Sequence, residues 1–182
     1  FDRGRALREH REKLLARRAQ LDLLLANVEK TIAAMKGEAK MTDQEKFAGF
    51  KRRMIEENEA KYGREARAKY GDEAVDKSNQ KIMKMSQDEY AEFERLGAQI
   101  MATIKEAFAS GDPAGGLAQK AADLHRQWLG YTWDKYSKEA HAGLAQMYVD
   151  DERFTAYYDR EQPGLAKFFR DAILIYTGMN QK

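Results

Sequence analysis

Side chains suited to bond-making chemistry are few in this sequence, and they stand far apart. There are three histidines and no cysteine, so thiolate metal sites, a cysteine nucleophile and a disulfide framework are excluded. His125 and His141 lie sixteen residues apart, with neither a His-Glu-x-x-His zinc helix nor a nucleophile elbow. Carboxylate neighbours such as Asp150 with Asp151, or Glu56 with Glu57, fall at helix ends or on solvated faces, where they cap and solubilise. The glycine-rich loop SGDPAGG (110–116) lacks the lysine and the preceding strand of a phosphate cradle. No enzyme, metal or cofactor is expected. Aromatic surface is what the sequence concentrates instead. Trp128, Tyr131, Trp133 and Tyr136 crowd one short stretch, and His141 and Tyr148 follow it. Tyr and Trp join a large apolar area to a polar handle, which suits a wide pocket for flat, multi-ring molecules or stacking on a cationic ligand. The same face would also serve to dock a partner helix, or simply to pack.

Helices must position these rings. Of 182 residues 34% are charged, and only two are proline; with a mean hydropathy of −0.79, this composition is that of an all-α globular chain with very polar exposed faces. No run of eighteen apolar residues marks a membrane helix and no signal peptide opens the chain, so a cytoplasmic setting without membrane contact is expected. Opening on Phe1 rather than Met, the sequence reads as the C-terminal part of something longer. In the aromatic stretch Leu117, Ala121, Leu124, Trp128 and Tyr131 make one helical stripe. Leu129, Trp133 and Tyr136 make a second, offset by about 140° at about 100° per residue. A helix from 117 to 136 with two apolar faces would touch the core and one thing more. Downstream, Leu165, Phe168, Phe169, Ala172, Ile173 and Tyr176 follow i, i+3, i+4, i+7 spacing, a plain core stripe.

The N-terminal region is organised differently. Leu7, Leu14, Leu21, Val28 and Met35 recur every seven residues, and Leu25 and Ile32 complete the alternating spacing of a coiled-coil seam. Residues 1–40 therefore read as a dimerisation helix ended by Gly37, and residues 41–182 as a helical domain. Seven basic residues against two acidic between Arg3 and Arg18 would repel in a parallel pair, which favours an antiparallel one. The competing reading packs this helix on its own domain. Capping boxes open two further helices, Thr42 with Glu45 and Ser86 with Glu89. Between them the chain turns poor in apolar residues. Residues 56–80 hold little more than Tyr62, Tyr70 and Val75, around a short repeat, KYGREA at 61–66 and KYGDEA at 69–74. Ordering costs about 1–2 kcal/mol per residue, so 56–85 reads either as a solvated linker or as a lid carrying two tyrosines.

The run His141-Ala-Gly143-Leu144, Met147-Tyr148, Arg153-Phe154-Thr155, Pro163-Gly164-Leu165-Ala166 and Arg170-Asp171-Ala172-Ile173 resembles the C-terminal effector domain of the TipA class of MerR-family transcription activators. The likeness extends back through KYGDEA, and the start of the chain looks like that family's long dimerisation helix. The resemblance implies a globin-like helical fold without haem, binding of thiopeptides or other bulky antibiotics, first helices that order around the ligand, and a homodimer through the N-terminal helix. It implies DNA contact only through a winged-helix domain absent from this chain. Some thiopeptide-binding relatives carry a cysteine where alignment on His141–Leu144 puts Tyr136. A phenol of pKa about 10 is a poor nucleophile, so covalent capture is not expected. The ligand contacts expected are Trp128, Tyr131, Trp133, Tyr136, His141 and Tyr148, with Tyr62 and Tyr70 from the lid. The alternative is a protein–protein interaction module whose aromatic face docks a helix.

Overall fold

The computed structural model describes residues 3–35, 42–160 and 162–180. Among these the regular elements are all helical: α1 (Arg3–Met35), α2 (Asp43–Asn58), a π-helical turn (Glu59–Gly63), α3 (Arg64–Tyr70), α4 (Asp72–Lys84), α5 (Gln87–Phe108), α6 (Gly116–Leu129), α7 (Lys138–Asp150), α8 (Glu152–Asp159) and α9 (Leu165–Thr177). Two compact units divide between Glu56 and Glu57. The boundary drawn from sequence at 40/41, and Gly37 as a helix stop, fall outside the described residues.

In the first unit α1 spans roughly 50 Å at 1.5 Å per residue. Its seam is uncovered: Leu7, Leu14, Leu21, Leu25, Val28 and Ile32 are 47–61% exposed, while the Met35 side chain lies outside the described set. The capping box at α2 forms as read, with the Thr42 N–H donating to Glu45 Oε2 at 3.0 Å and the Glu45 N–H to Thr42 Oγ1 at 3.2 Å. Lys30 of α1 pairs with the same carboxylate. That bond first, and the Thr42 N–H second, hold Glu45 down to about 2.

The second unit is built on the core of α5, α6, α7 and α9. Every expected core position of α9 from Leu165 to Ile173 is buried, and Tyr176 packs at its edge. Ile104, Ala121, Ala145 and Phe169 are completely enclosed. Burying a ring such as Phe169 is worth about 1.5–3 kcal/mol. Asp159 caps α9, accepting from the N–H groups of Gly164 at 2.9 Å and Ala166 at 2.7 Å. Gly164 has φ +90°, a left-handed turn that glycine adopts without steric cost. At α5, Ser86 and Glu89 form the second capping box.

Two sequence readings are corrected. Leu117, placed on the core stripe of α6, is 41% exposed, while its neighbour Ala118 is 1% exposed, so the inward position of the first turn falls one residue later. The helix also stops at Leu129 instead of running to Tyr136. The N–H groups of Gly130, Tyr131 and Thr132 bond to carbonyls three residues back, each at 3.1 Å. Such tightening ends α-helices, and residues 130–132 form a turn that leads into non-helical 133–137.

Residues 59–84 are helical throughout apart from Gly71. No side chain of α3 or α4 is buried. Arg67 organises them, bonding to Glu59 at 2.9 and 3.1 Å, Asp72 at 3.2 Å and Asp76 at 2.8 Å. Asn79 adds a bond to Glu59 at 2.7 Å.

Candidate functional site

The corrected end of α6 changes how its rings are presented. Trp128 keeps its helical position and stacks on Phe93 of α5, centroids 4.8 Å apart and planes at 17°. Gly97, one turn on, lies beside the indole: a methyl there would sit 3.6 Å from its nitrogen, an ordinary contact distance. Tyr131 meets the same Phe93 ring at 5.8 Å, and Tyr90 meets it from α5 at 6.1 Å. Offset and tilted pairs at such distances are worth about 0.5–1.5 kcal/mol beyond their burial. Trp133 and Tyr136 are placed by the turn and not by a helical face. Trp133 is held through its backbone, whose N–H bonds to the Leu129 carbonyl at 2.7 Å and whose carbonyl accepts from Lys81 of α4.

Behind these rings lies a buried polar chain. The Tyr136 hydroxyl is 3.1 Å from His141 Nδ1, His141 Nε2 is 2.8 Å from His125 Nδ1, and His125 Nε2 is 3.0 Å from the Tyr148 hydroxyl. His125, His141 and Tyr148 are 2%, 0% and 5% exposed, and Tyr136 is half-buried. Burial first, and the neighbouring imidazole second, push His125 down to about 3. Burial, then the positive charge of Arg126, push His141 down to about 4. Both rings are therefore neutral at physiological pH. Burial raises the Tyr136 phenol above its ordinary value, and an imidazole as weakly basic as His141 does not remove its proton. What remains available is recognition by ring faces and uncharged hydrogen bonds.

The other predicted contacts fall on the far side of this chain. Tyr62 lies 6.5 Å from Phe154 of α8, with the Arg153 guanidinium 5.4 Å over its ring. The Tyr70 hydroxyl reaches Met147 Sδ at 3.8 Å. Phe154 in turn contacts Tyr148 at 6.0 Å, Tyr148 contacts His125 at 5.9 Å, and His125 stacks toward Trp128 at 5.9 Å. One connected set of rings thus runs from Tyr62 to Tyr131 with the histidine pair at its hub. Trp133 joins it through no ring contact. His125, Tyr90 and Phe93 were not among the sequence's candidates. Phe93 and Tyr90 lie on α5, far along the chain from the aromatic stretch, so no local spacing marked them. A separate groove of about 870 Å³ opens between α7 and α9. Its lining has no aromatic side chain, and Arg170 there is engaged with Asp171 and Gln146 at 2.7 and 3.2 Å.

Residues 62–176, most of the second unit, match the model of the TipAS antibiotic-recognition domain. The chain belongs to that family. Among its relatives, the HTH-type transcriptional activator mta of Bacillus subtilis is 29% identical over 180 residues, covering 97% of this chain and 68% of the relative. The HTH-type transcriptional activator TipA of Streptomyces coelicolor is 31% identical over 170 residues, covering 92% and 66%. The solved complex of nosiheptide with TipAS from Streptomyces lividans superposes with a TM-score of 0.57 at 28% identity, over 79% of this chain and 99% of that one. These relatives are transcriptional regulators. Within this TipAS domain, the motif residues have structural duties: Asp151 and Arg153 pair at the start of α8, Arg153 reaches Glu65 of α3 at 2.6 Å, and Thr155 bonds to the Tyr148 carbonyl at 2.8 Å.

Proposed function

We propose that this chain is the ligand-sensing and dimerisation part of a drug-responsive MerR-type transcription activator, and that it binds bulky aromatic or thiopeptide-like antibiotics non-covalently at the surface formed by Trp128, Tyr131, Trp133 and Tyr136. The observation that carries the reading is the ring network of a TipAS domain, stacked through Phe93 and Trp128 and reaching the surface at Tyr131 and Tyr136. Non-covalent binding is supported by the lack of cysteine and by the raised phenol of Tyr136. The segment 56–85 is proposed as the lid, with Tyr62 and Tyr70 as its contacts to the body. His141 and Tyr148, being enclosed, support the surface from beneath.

Homodimerisation through α1 is proposed from its exposed heptad seam of Leu7, Leu14, Leu21, Leu25, Val28 and Ile32, with the antiparallel arrangement favoured by the clustered positive charge. A helix alone leaves such a stripe in water, and a second copy covers it. In this reading DNA contact belongs to a winged-helix domain and the setting is the cytoplasm; no helix among the described residues is long and apolar enough to cross a membrane.

Titration with nosiheptide and a panel of polycyclic antibiotics, read by tryptophan fluorescence, tests the ligand reading. Both tryptophans lie in the proposed site, so binding should quench or shift emission, and Trp128→Ala should weaken binding of the folded fraction. If emission and calorimetry stay silent across the panel, the small-molecule reading fails and a docked partner helix takes its place. Sedimentation of the whole chain at tens of micromolar tests the dimer, which a monomer would exclude.

A further inference from the structure

The hydrogen bonds of the buried chain restrict its protons more tightly than its distances alone suggest. All four ring nitrogens of His125 and His141 are engaged, by each other, by Tyr136 and by Tyr148. A neutral imidazole carries one N–H and one lone pair. Across 2.8 Å, two facing N–H groups or two facing lone pairs are unfavourable, so one nitrogen must donate to the other. Two arrangements satisfy every ring nitrogen. In the first, both histidines are protonated on Nε2: Tyr136 donates to His141, His141 to His125, and His125 to the Tyr148 oxygen. In the second, both are protonated on Nδ1 and every bond reverses. Tyr148 can play either part at the inner end because a hydroxyl both donates and accepts. The two tautomers are therefore locked together.

Only the outer end meets solvent. In the first arrangement the Tyr136 proton is committed inward, and its oxygen faces outward as an acceptor. In the second the oxygen accepts from His141, and its O–H is free to donate outward. We propose that Tyr136 is a ligand contact of reversible hydrogen-bond sense, set by the locked histidine pair, and that the site takes uncharged flat heteroaromatic ligands carrying either a donor or an acceptor at the ring edge. The proposal rests on the aromatic face being the ligand site. Uncharged ligands fit because the two charges that act most on the Tyr136 phenol, Arg126 and Asp123, are already committed to each other and to Tyr176, at 2.6–3.0 Å. Reversing the chain moves no net charge into the core, so either sense avoids burying an uncompensated ion.

The test uses the whole chain labelled with 15N-histidine, long-range proton–nitrogen correlation at mildly alkaline pH, and two bicyclic probes. Indole only donates, and quinoline only accepts. Saturation with indole should drive both histidines to the Nε2–H form, and saturation with quinoline should drive both to Nδ1–H. Two variants examine the chain without any probe. An unpaired buried N–H is worse than an unpaired acceptor, so Tyr148→Phe should leave both rings Nδ1–H and Tyr136→Phe should leave both Nε2–H. Tyr148→Phe should also raise the preference for quinoline over indole, and Tyr136→Phe should weaken both probes about fivefold, the worth of one hydrogen bond. Tyr136 is partly exposed, so its variant keeps the test open if Tyr148→Phe does not fold. Opposite tautomers on the two rings, or a tautomer indifferent to both variants and both probes, overturns the locked chain. Variants that behave as stated, with neither probe shifting the Tyr136 or Trp128 signals, leave the lock standing but overturn the contact and the ligand-site reading beneath it.

Discussion

The α5–α6–α7–α9 core and the α3–α4 segment are both helical, yet different forces hold them. The core encloses Ile104, Phe169, Leu165 and Ile173 completely, and apolar burial at about 25 cal/mol per Å² supports it. α3 and α4 bury no side chain and depend on ion pairs around Arg67. Partly exposed pairs bring at most about 1 kcal/mol each, close to the ordering cost of a single residue. A segment held in this way is expected to open without the core opening, as the lid proposed above requires.

The largest expected effect comes from the core. Phe169→Ala should destabilise the second unit by about 3–5 kcal/mol, seen as a lower urea midpoint. A loss below about 1 kcal/mol would mean that the core is not what holds this unit.

Acid should attack the same core through its histidines. Their folded pKa values, about 3 and about 4, lie below the ordinary 6.5, so the unfolded chain binds protons that the folded one refuses. Stability is then full above pH 6.5 and falls as pH drops toward 4, by up to about 1.4 kcal/mol per pH unit for each histidine. The lowered carboxylates Glu45, Asp151 and Asp123 lose their contribution only at lower pH. Urea unfolding between pH 7 and 5 isolates the histidine effect, and a flat profile there would contradict the neutral buried pair.

Arg67→Ala should sharpen the contrast. It removes the bonds to Glu59, Asp72 and Asp76, so amide exchange across 59–84 should accelerate, while global stability changes by only about 1 kcal/mol. Unchanged exchange would show that α3 and α4 do not rely on the ion pairs. The smallest effect is expected of Glu65→Gln, which removes the exposed link to Arg153. Global stability should move by less than about 0.5 kcal/mol. A larger drop would promote that link from surface decoration to a tether of α3.

Local patterns were legible in the sequence. The α9 stripe, both capping boxes, the SGDPAGG connection and the helicity of α1 could all be read, because helical periodicity and caps depend on residues within a few positions of one another. The family motif was legible too, and it led to the TipAS domain. The helix end at Leu129 was not. Trp133 and Tyr136 fit the period of a continued helix, and only the three-residue bonds at 130–132 show that the backbone tightens there. The partnership of His125 with His141 was equally hidden: they stand sixteen residues apart in the sequence, and only α6 and α7 packing around Phe169 sets their nitrogens 2.8 Å apart. Sequence decided which faces are apolar and where helices begin, because those properties belong to neighbours along the chain. Tertiary structure decided which rings meet and which imidazoles stay neutral, because stacking and desolvation depend on what other helices bring.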